Sequence, residues 1–128
     1  MTDPVREYLS SQRCAKHVVR GGLEYLVSSW ESTVRDVTRG RYEEFDEDEY
    51  LNDVDARAIL AGVSESVPEE CVAPFRGRIE TSDAAFLRAS VPTQACIWGD
   101  PNAEARGWTR DRDWWYFRRP IRGSLNFT

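Results

Sequence analysis

Val19, Leu23, Leu26, Trp30, Val34 and Val37 follow one another at steps of 4, 3, 4, 4 and 3. Steps of three and four lay side chains along one stripe of an α-helix, and a stripe this long must be covered by other elements. Arg20, Glu24, Ser28, Glu31 and Arg35 occupy the opposite side. The spacing predicts a central helix over about residues 13–39, with Gly40 as its C-terminal stop. Gly21 and Gly22 fall inside it. Together they cost about 1–2 kcal/mol of helix propensity, and they are expected to admit a close backbone crossing.

Weaker signals flank this helix. Asp3-Pro4 suits a helix start over about 4–12, since Asp caps and Pro tolerates the first position; Val5, Tyr8 and Leu9 share its face. A further helix over about 46–63 begins in acidic sequence, where Asp46 and Glu49 fit a capping-box variant and Asp46–Glu49 complement the positive helix end. Its inward face is Tyr50, Leu51, Val54, Ala58 and Ala61, while Ile59 and Leu60 point elsewhere and need a cover. Cys71, Phe75, Ile79, Ser82, Phe86 and Ala89 place a last helix over about 74–90, ended by Val91-Pro92. From 93 to 123 the helical pattern stops. Gly99-Asp100-Pro101-Asn102 reads as a turn. The aromatic Asp113–Arg119 run reads as extended and is expected to pair with Cys96–Trp98 and cover Ile59 and Leu60. The fold class is mainly α: an irregular three-helix bundle with a C-terminal extended aromatic segment or short β-hairpin packed across it, in one domain, 1–128.

A chain of 128 residues can bury roughly two-thirds of its unfolded surface, so it needs no metal or disulfide to fold. No apolar run approaches the ~20 residues that span a bilayer, and the first residues have no apolar signal region. Cys14, Cys71 and Cys96 are an odd, widely spaced set, read as free thiols. The protein is expected to be cytoplasmic.

Charge is the most uneven property. Eight of the thirteen residues from Glu43 to Asp55 are carboxylates, and without them the 17 basic residues of the chain outnumber the acidic ones. Sixteen of those 17 are Arg, scattered along the chain; a GC-rich bacterial coding genome accounts for that bias better than nucleic-acid binding, which a net charge of −5 disfavours. The segment Ala105–Gly123 interleaves Arg with Trp108, Trp114, Trp115, Tyr116 and Phe117, as single-strand nucleic-acid grooves do. Core aromatics with Arg tips at the surface are the preferred reading.

Catalytic and metal motifs are weak. A calcium loop started at Asp46 has Leu51 at its glycine position and Arg57 at its glutamate position, so the pattern fails. Asp48, Asn52 and Asp55 share a helical stripe, read as a solvated face rather than a cation site. Cys14 and His17 with Cys71 and Cys96 lack the paired spacing of structural zinc. His17 is the only histidine, and no nucleophile elbow, phosphate loop, HExxH or CxxC occurs. No catalytic residue, metal or cofactor is assigned, and oligomeric state stays open.

The functional reading is a non-enzymatic interaction module whose acidic face binds a basic protein partner, as an inhibitor, immunity or adaptor protein does. Its contact residues are Glu43, Glu44, Phe45, Asp48, Glu49, Asn52, Asp53 and Asp55. The alternative is a small enzyme or a ligand- or metal-binding protein that uses a cleft between the acidic helix and the aromatic tail. There Asp53 or Asp55 would act as acid/base, and Arg57 or Arg118 would orient an anionic group. A carboxylate with a raised pKa in an apolar cleft favours the second reading; solvated carboxylates favour the first.

Overall fold

Asp3 sets the first turn of the structure. Its carboxylate accepts hydrogen bonds from the backbone N–H of Val5 (3.1 Å) and Arg6 (3.2 Å), and Pro4 opens helix α1 (Pro4–Ser11). The computed structural model describes residues 3–127, so the expected domain limits at 1 and 128 lie outside the described residues. Arg13 adopts a positive φ of 59°, which breaks the chain direction. Helix α2 (Lys16–Arg39) therefore begins at Lys16 rather than residue 13.

Five of the six stripe residues of α2 are buried, and Val19 is half-buried. Helix α2 packs against α1, α3 (Glu47–Ser66) and α5 (Arg76–Arg88), and so forms the axis of the fold. The glycine pair acts differently from the expected crossing. Gly22 has φ 60° and ψ −148°, outside helical geometry, and kinks α2. No atom lies within 4 Å of where its side chain would stand. The conformation, not a close neighbour, requires glycine. Gly40 ends α2 in the left-handed region at φ 69° as its C-cap.

The acidic run enters α3 through a 3-10 turn, Glu44–Asp46. Its capping box is Glu43 with Asp46, in place of the expected Asp46 with Glu49: the Asp46 carboxylate accepts from the Glu43 backbone N–H at 2.9 Å. The helix expected at 74–90 is α5, which starts at Arg76 after a 3-10 turn at Ala73–Phe75 that contains Pro74; a one-turn helix not expected, α4 (Glu69–Val72), precedes it.

The tail departs most from expectation. Strand β1 (Ser90–Pro92), directly after α5, pairs antiparallel with β2 (Arg118–Pro120), aligning Val91 with Arg119. The expected partner, Cys96–Trp98, contributes one bond, from the Ile97 N–H to the Tyr116 carbonyl at 2.8 Å. Asp100-Pro101-Asn102 opens a short helix, α6 (Asp100–Arg106), instead of a turn. Trp114–Phe117 is a 3-10 turn, not a strand. A flat strand would hold alternate rings in water; the turn buries Trp115, Tyr116 and Phe117 and half-buries Trp114. Leu60 is fully buried in the core, and Ile59 is half-buried beside Trp98, Trp108 and Tyr116 of the tail. The result is mainly helical, with a short two-stranded hairpin packed against the helices. Among the described residues no helix is long and apolar enough to cross a membrane.

Candidate functional site

The acidic run divides into a ridge and a trough. Glu43, Glu44, Phe45, Asp48, Glu49 and Asn52 are exposed, and Phe45 keeps 89% of its surface in water. Asp53 and Asp55 are half-buried. The ion pairs among the described residues join Arg6–Asp3, Arg41–Asp36, Arg57–Asp83, Arg76–Glu69, Arg78–Glu24, Arg78–Glu31 and Arg112–Asp113. None uses a carboxylate between Glu43 and Asp55. Among the described residues no arginine of the tail forms an ion pair with the acidic run.

Two hollows adjoin along α3. One, of about 370 Å³, lies between α2 and α3 and takes hydroxyls from Ser29, Ser32 and Thr33 and carboxylates from Asp36, Glu49, Asp53 and Asp55. The other, of about 410 Å³, lies between α3 and the tail and is walled by Trp98, Arg106, Trp108 and Tyr116. Asp55 and Ile59 line both, which makes a single trough with an acidic half and an aromatic half.

Asp53 and Asp55 are each held by a tyrosine. The Tyr42 hydroxyl donates to Asp53 Oδ2 at 2.7 Å, and the Tyr116 hydroxyl donates to Asp55 Oδ1 at 2.6 Å. Tyr42 sits edge-on to Tyr50 at 5.2 Å, and Tyr116 stacks on Trp108 at 4.2 Å, so both hydroxyls are fixed by ring packing. Burial pushes the pKa of both carboxyls above the ordinary aspartate value, and the tyrosine bonds offset only part of that shift. The Trp98 indole N–H stands near enough to Asp55 to favour its charged form, yet meets no acceptor at hydrogen-bonding geometry. Arg106 also favours the Asp55 anion from a distance, while its guanidinium lies 5.5 Å over Trp108.

Several expected roles change. Arg57 does not face the trough. It makes a two-pronged pair with Asp83 (2.8 and 2.9 Å) and lies 4.8 Å over Trp115. Arg118 donates to the Ser90 hydroxyl and carbonyl, both at 2.8 Å, and so ties β2 to β1. Neither is free to orient an anionic ligand. Asp48 is exposed outside the trough, Asn52 is exposed at the edge of its acidic hollow, and Asp55 on the same helical stripe turns into it. His17 is exposed, edge-on to Tyr25 at 5.5 Å, and Cys14, Cys71 and Cys96 are free thiols. Among the described residues no group of three or more His, Cys, Asp or Glu side chains is arranged to hold a metal. Trp115, Tyr116 and Phe117 are buried, and of the three only Tyr116 borders the trough. Among the trough residues, sequence reasoning passed over Ser29, Ser32, Thr33, Asp36 and Trp98, and counted Arg106 only with the arginines of the tail. Only Asp36 carried a local signal: it stands one turn after Ser32 and Thr33, on the polar flank of the α2 stripe.

The raised pKa of Asp55 has a definite sign for stability. A carboxyl whose folded pKa exceeds its unfolded value near ~3.9 binds its proton more tightly when folded. Stability then falls as pH rises through the window between the two values, and above it the whole penalty is present. Asp55→Asn removes the penalty and keeps an amide oxygen for the Tyr116 hydroxyl. The variant is expected to melt at or above the wild-type temperature at neutral pH. Its stability relative to wild type should grow as the pH is raised from about 4 to about 7. Thermal melts across that range test this; a variant that melts lower at neutral pH would show that Asp55 is a structural anchor.

No protein-family model matches the chain, and searches of curated proteins and of solved structures find no significant match.

Proposed function

We propose that this protein is a non-enzymatic cytoplasmic interaction module, of inhibitor, immunity or adaptor type, that binds a basic protein partner. The partner's Lys or Arg side chains would enter the acidic half of the trough. One observation carries this reading: Asp53 and Asp55 are half-buried carboxylates that form no ion pair among the described residues. Buried charge is normally paired, because desolvation is costly without a counter-charge. A cation from outside would supply the missing half. Glu49 adds charge to the same hollow, and the exposed Glu43, Glu44 and Asp48 extend the negative field that steers a basic surface toward it.

The test is capture from the native host lysate at low and high salt, followed by titration of the captured basic protein. Asp55→Asn is expected to weaken its binding at least about 30-fold, the effect of cutting one member of a desolvated charge pair. Charge reversal at Asp48 should slow association at low salt and leave dissociation nearly unchanged. A captured partner indifferent to Asp55→Asn and Asp53→Asn would overturn the assignment.

A second reading draws support from the aromatic half of the trough. There a carboxylate of raised pKa stands among Ile59, Trp98 and Tyr116 in a hollow large enough for a small molecule. The ligand would be an organic cation, with Asp55 as counter-ion, or as acid/base if the protein is an enzyme. Titration with free arginine and with aromatic amines, read by tryptophan fluorescence, distinguishes the readings. A saturable change lost in Asp55→Asn supports the small ligand, and a flat response removes it.

A further inference from the structure

From a patch at the far end of α2, we infer that the protein forms a two-fold symmetric dimer in which Phe45 of each chain enters a hollow beside Ile121 of the other.

The hollow is a separate feature from the trough. It has a volume of about 370 Å³ and is lined by Val37 and Thr38 of α2, Ala85, Arg88 and Ala89 around the end of α5, and Ile121 and Arg122 of the tail. Its floor is apolar, and Ile121 is 54% exposed at its edge. The Ile121 N–H donates to the Ala89 carbonyl at 2.9 Å, which holds the wall in place and makes the hollow pre-formed. Arg88 and Arg122 are exposed and make no ion pair among the described residues.

Phe45 is the complement of this hollow. Among the described residues it is the most exposed of the large apolar side chains, and Glu43 and Glu44 beside it are exposed carboxylates that form no ion pair there. An apolar knob flanked by negative charge matches an apolar socket flanked by positive charge. Both features lie at the same end of α2. The Ser124 N–H donates to the Tyr42 carbonyl at 3.0 Å, and a side-chain carbon on Gly40 would collide with Arg122. The socket therefore borders the segment that carries the knob three residues beyond Tyr42. Neighbouring knob and socket on one patch are what a self-complementary contact needs. Turning a second copy about a two-fold axis makes both contacts at once and closes the assembly. A knob and socket on opposite ends would instead propagate open chains.

Sedimentation velocity over a dilution series tests this. The wild type is expected to move from dimer to monomer as it is diluted. Phe45→Ser should raise the dimer dissociation constant about 30-fold or more, as loss of a central aromatic anchor does. Ile121→Glu should do the same. Both residues are exposed in the monomer, so circular dichroism should report an unchanged fold. Glu44→Arg and Arg122→Glu should each weaken the dimer, and the double variant should recover association. Asp55→Asn should leave it intact, which separates this result from the fate of the partner-binding trough. A wild type that stays monomeric at the highest soluble concentration, a dimer indifferent to Phe45→Ser, or growth beyond two copies would each overturn the inference.

Discussion

Asp83→Ala is expected to remove about 3–5 kcal/mol of folding free energy, the scale of breaking one side of a buried ion pair. The Asp83 carboxylate accepts both prongs of the Arg57 guanidinium at 2.8 and 2.9 Å, and its Oδ1 also accepts from the Trp30 indole N–H at 2.9 Å. The Arg57 and Asp83 side chains are only 14% and 20% exposed. Arg57 is covered by the rings of Trp115 at 4.8 Å and Trp114 at 5.5 Å. One carboxylate on α5 thus holds α2, α3 and the tail together. Its removal leaves a guanidinium and an indole N–H without acceptors in a place water hardly reaches, and both penalties act in the folded state alone. A domain with a stability of about 5–15 kcal/mol would lose a large share of it. Urea unfolding checks the value. Asp83→Asn should fall between the two, because it keeps the Trp30 acceptor and loses the charge. A loss below about 1 kcal/mol for Asp83→Ala, the scale of an exposed pair, would mean that solvent reaches Arg57.

Trp30→Ala is expected to cost about 3–5 kcal/mol through packing alone. Trp30 is fully buried, tilted against Phe86 at 5.1 Å, and occupies the middle of the α2 stripe where α5 crosses. Truncation opens a cavity between two helices whose other side chains cannot collapse into it, and the indole bond to Asp83 is lost as well. Trp30→Phe separates the two effects. It keeps most of the ring volume and should cost about 1–2 kcal/mol, mainly the hydrogen bond. Since Trp30 and Asp83 share that bond, the double variant Trp30→Phe with Asp83→Ala should be less damaging than the sum of the singles. Chemical denaturation of the four proteins measures this coupling. Strict additivity would show that the indole N–H contributes nothing to Asp83.

The fate of individual residues shows how much of this was legible in one dimension. Leu23, Leu26, Trp30, Val34 and Val37 are buried as their spacing requires, and Asp3 and Gly40 bound their helices as their chemistry requires. Those are local properties: 3.6-residue periodicity, an unsatisfied N–H, a tolerated positive φ. Gly22 was legible as an anomaly but not as a kink, because a glycine inside a helix announces freedom without saying how it is used. The 3-10 turn at Trp114–Phe117 was hidden for a related reason. Adjacent aromatics fit a strand or a tight turn equally well until the surface beneath them is known.

The candidate site divides along the same line. That negative charge gathers on the 3-10 turn before α3 and on the first turns of α3 follows from sequence order, since eight carboxylates lie between Glu43 and Asp55. Which of them remain solvated and which become half-buried was decided only by the tertiary structure. Asp53 meets Tyr42 across 11 residues and Asp55 meets Tyr116 across 61, and no local pattern encodes either encounter. Desolvation and the shape of a hollow are sums over surrounding atoms supplied by distant segments. Periodicity determines which face of a helix turns inward; only the packed neighbours determine whether a carboxylate at the edge of that face keeps its water.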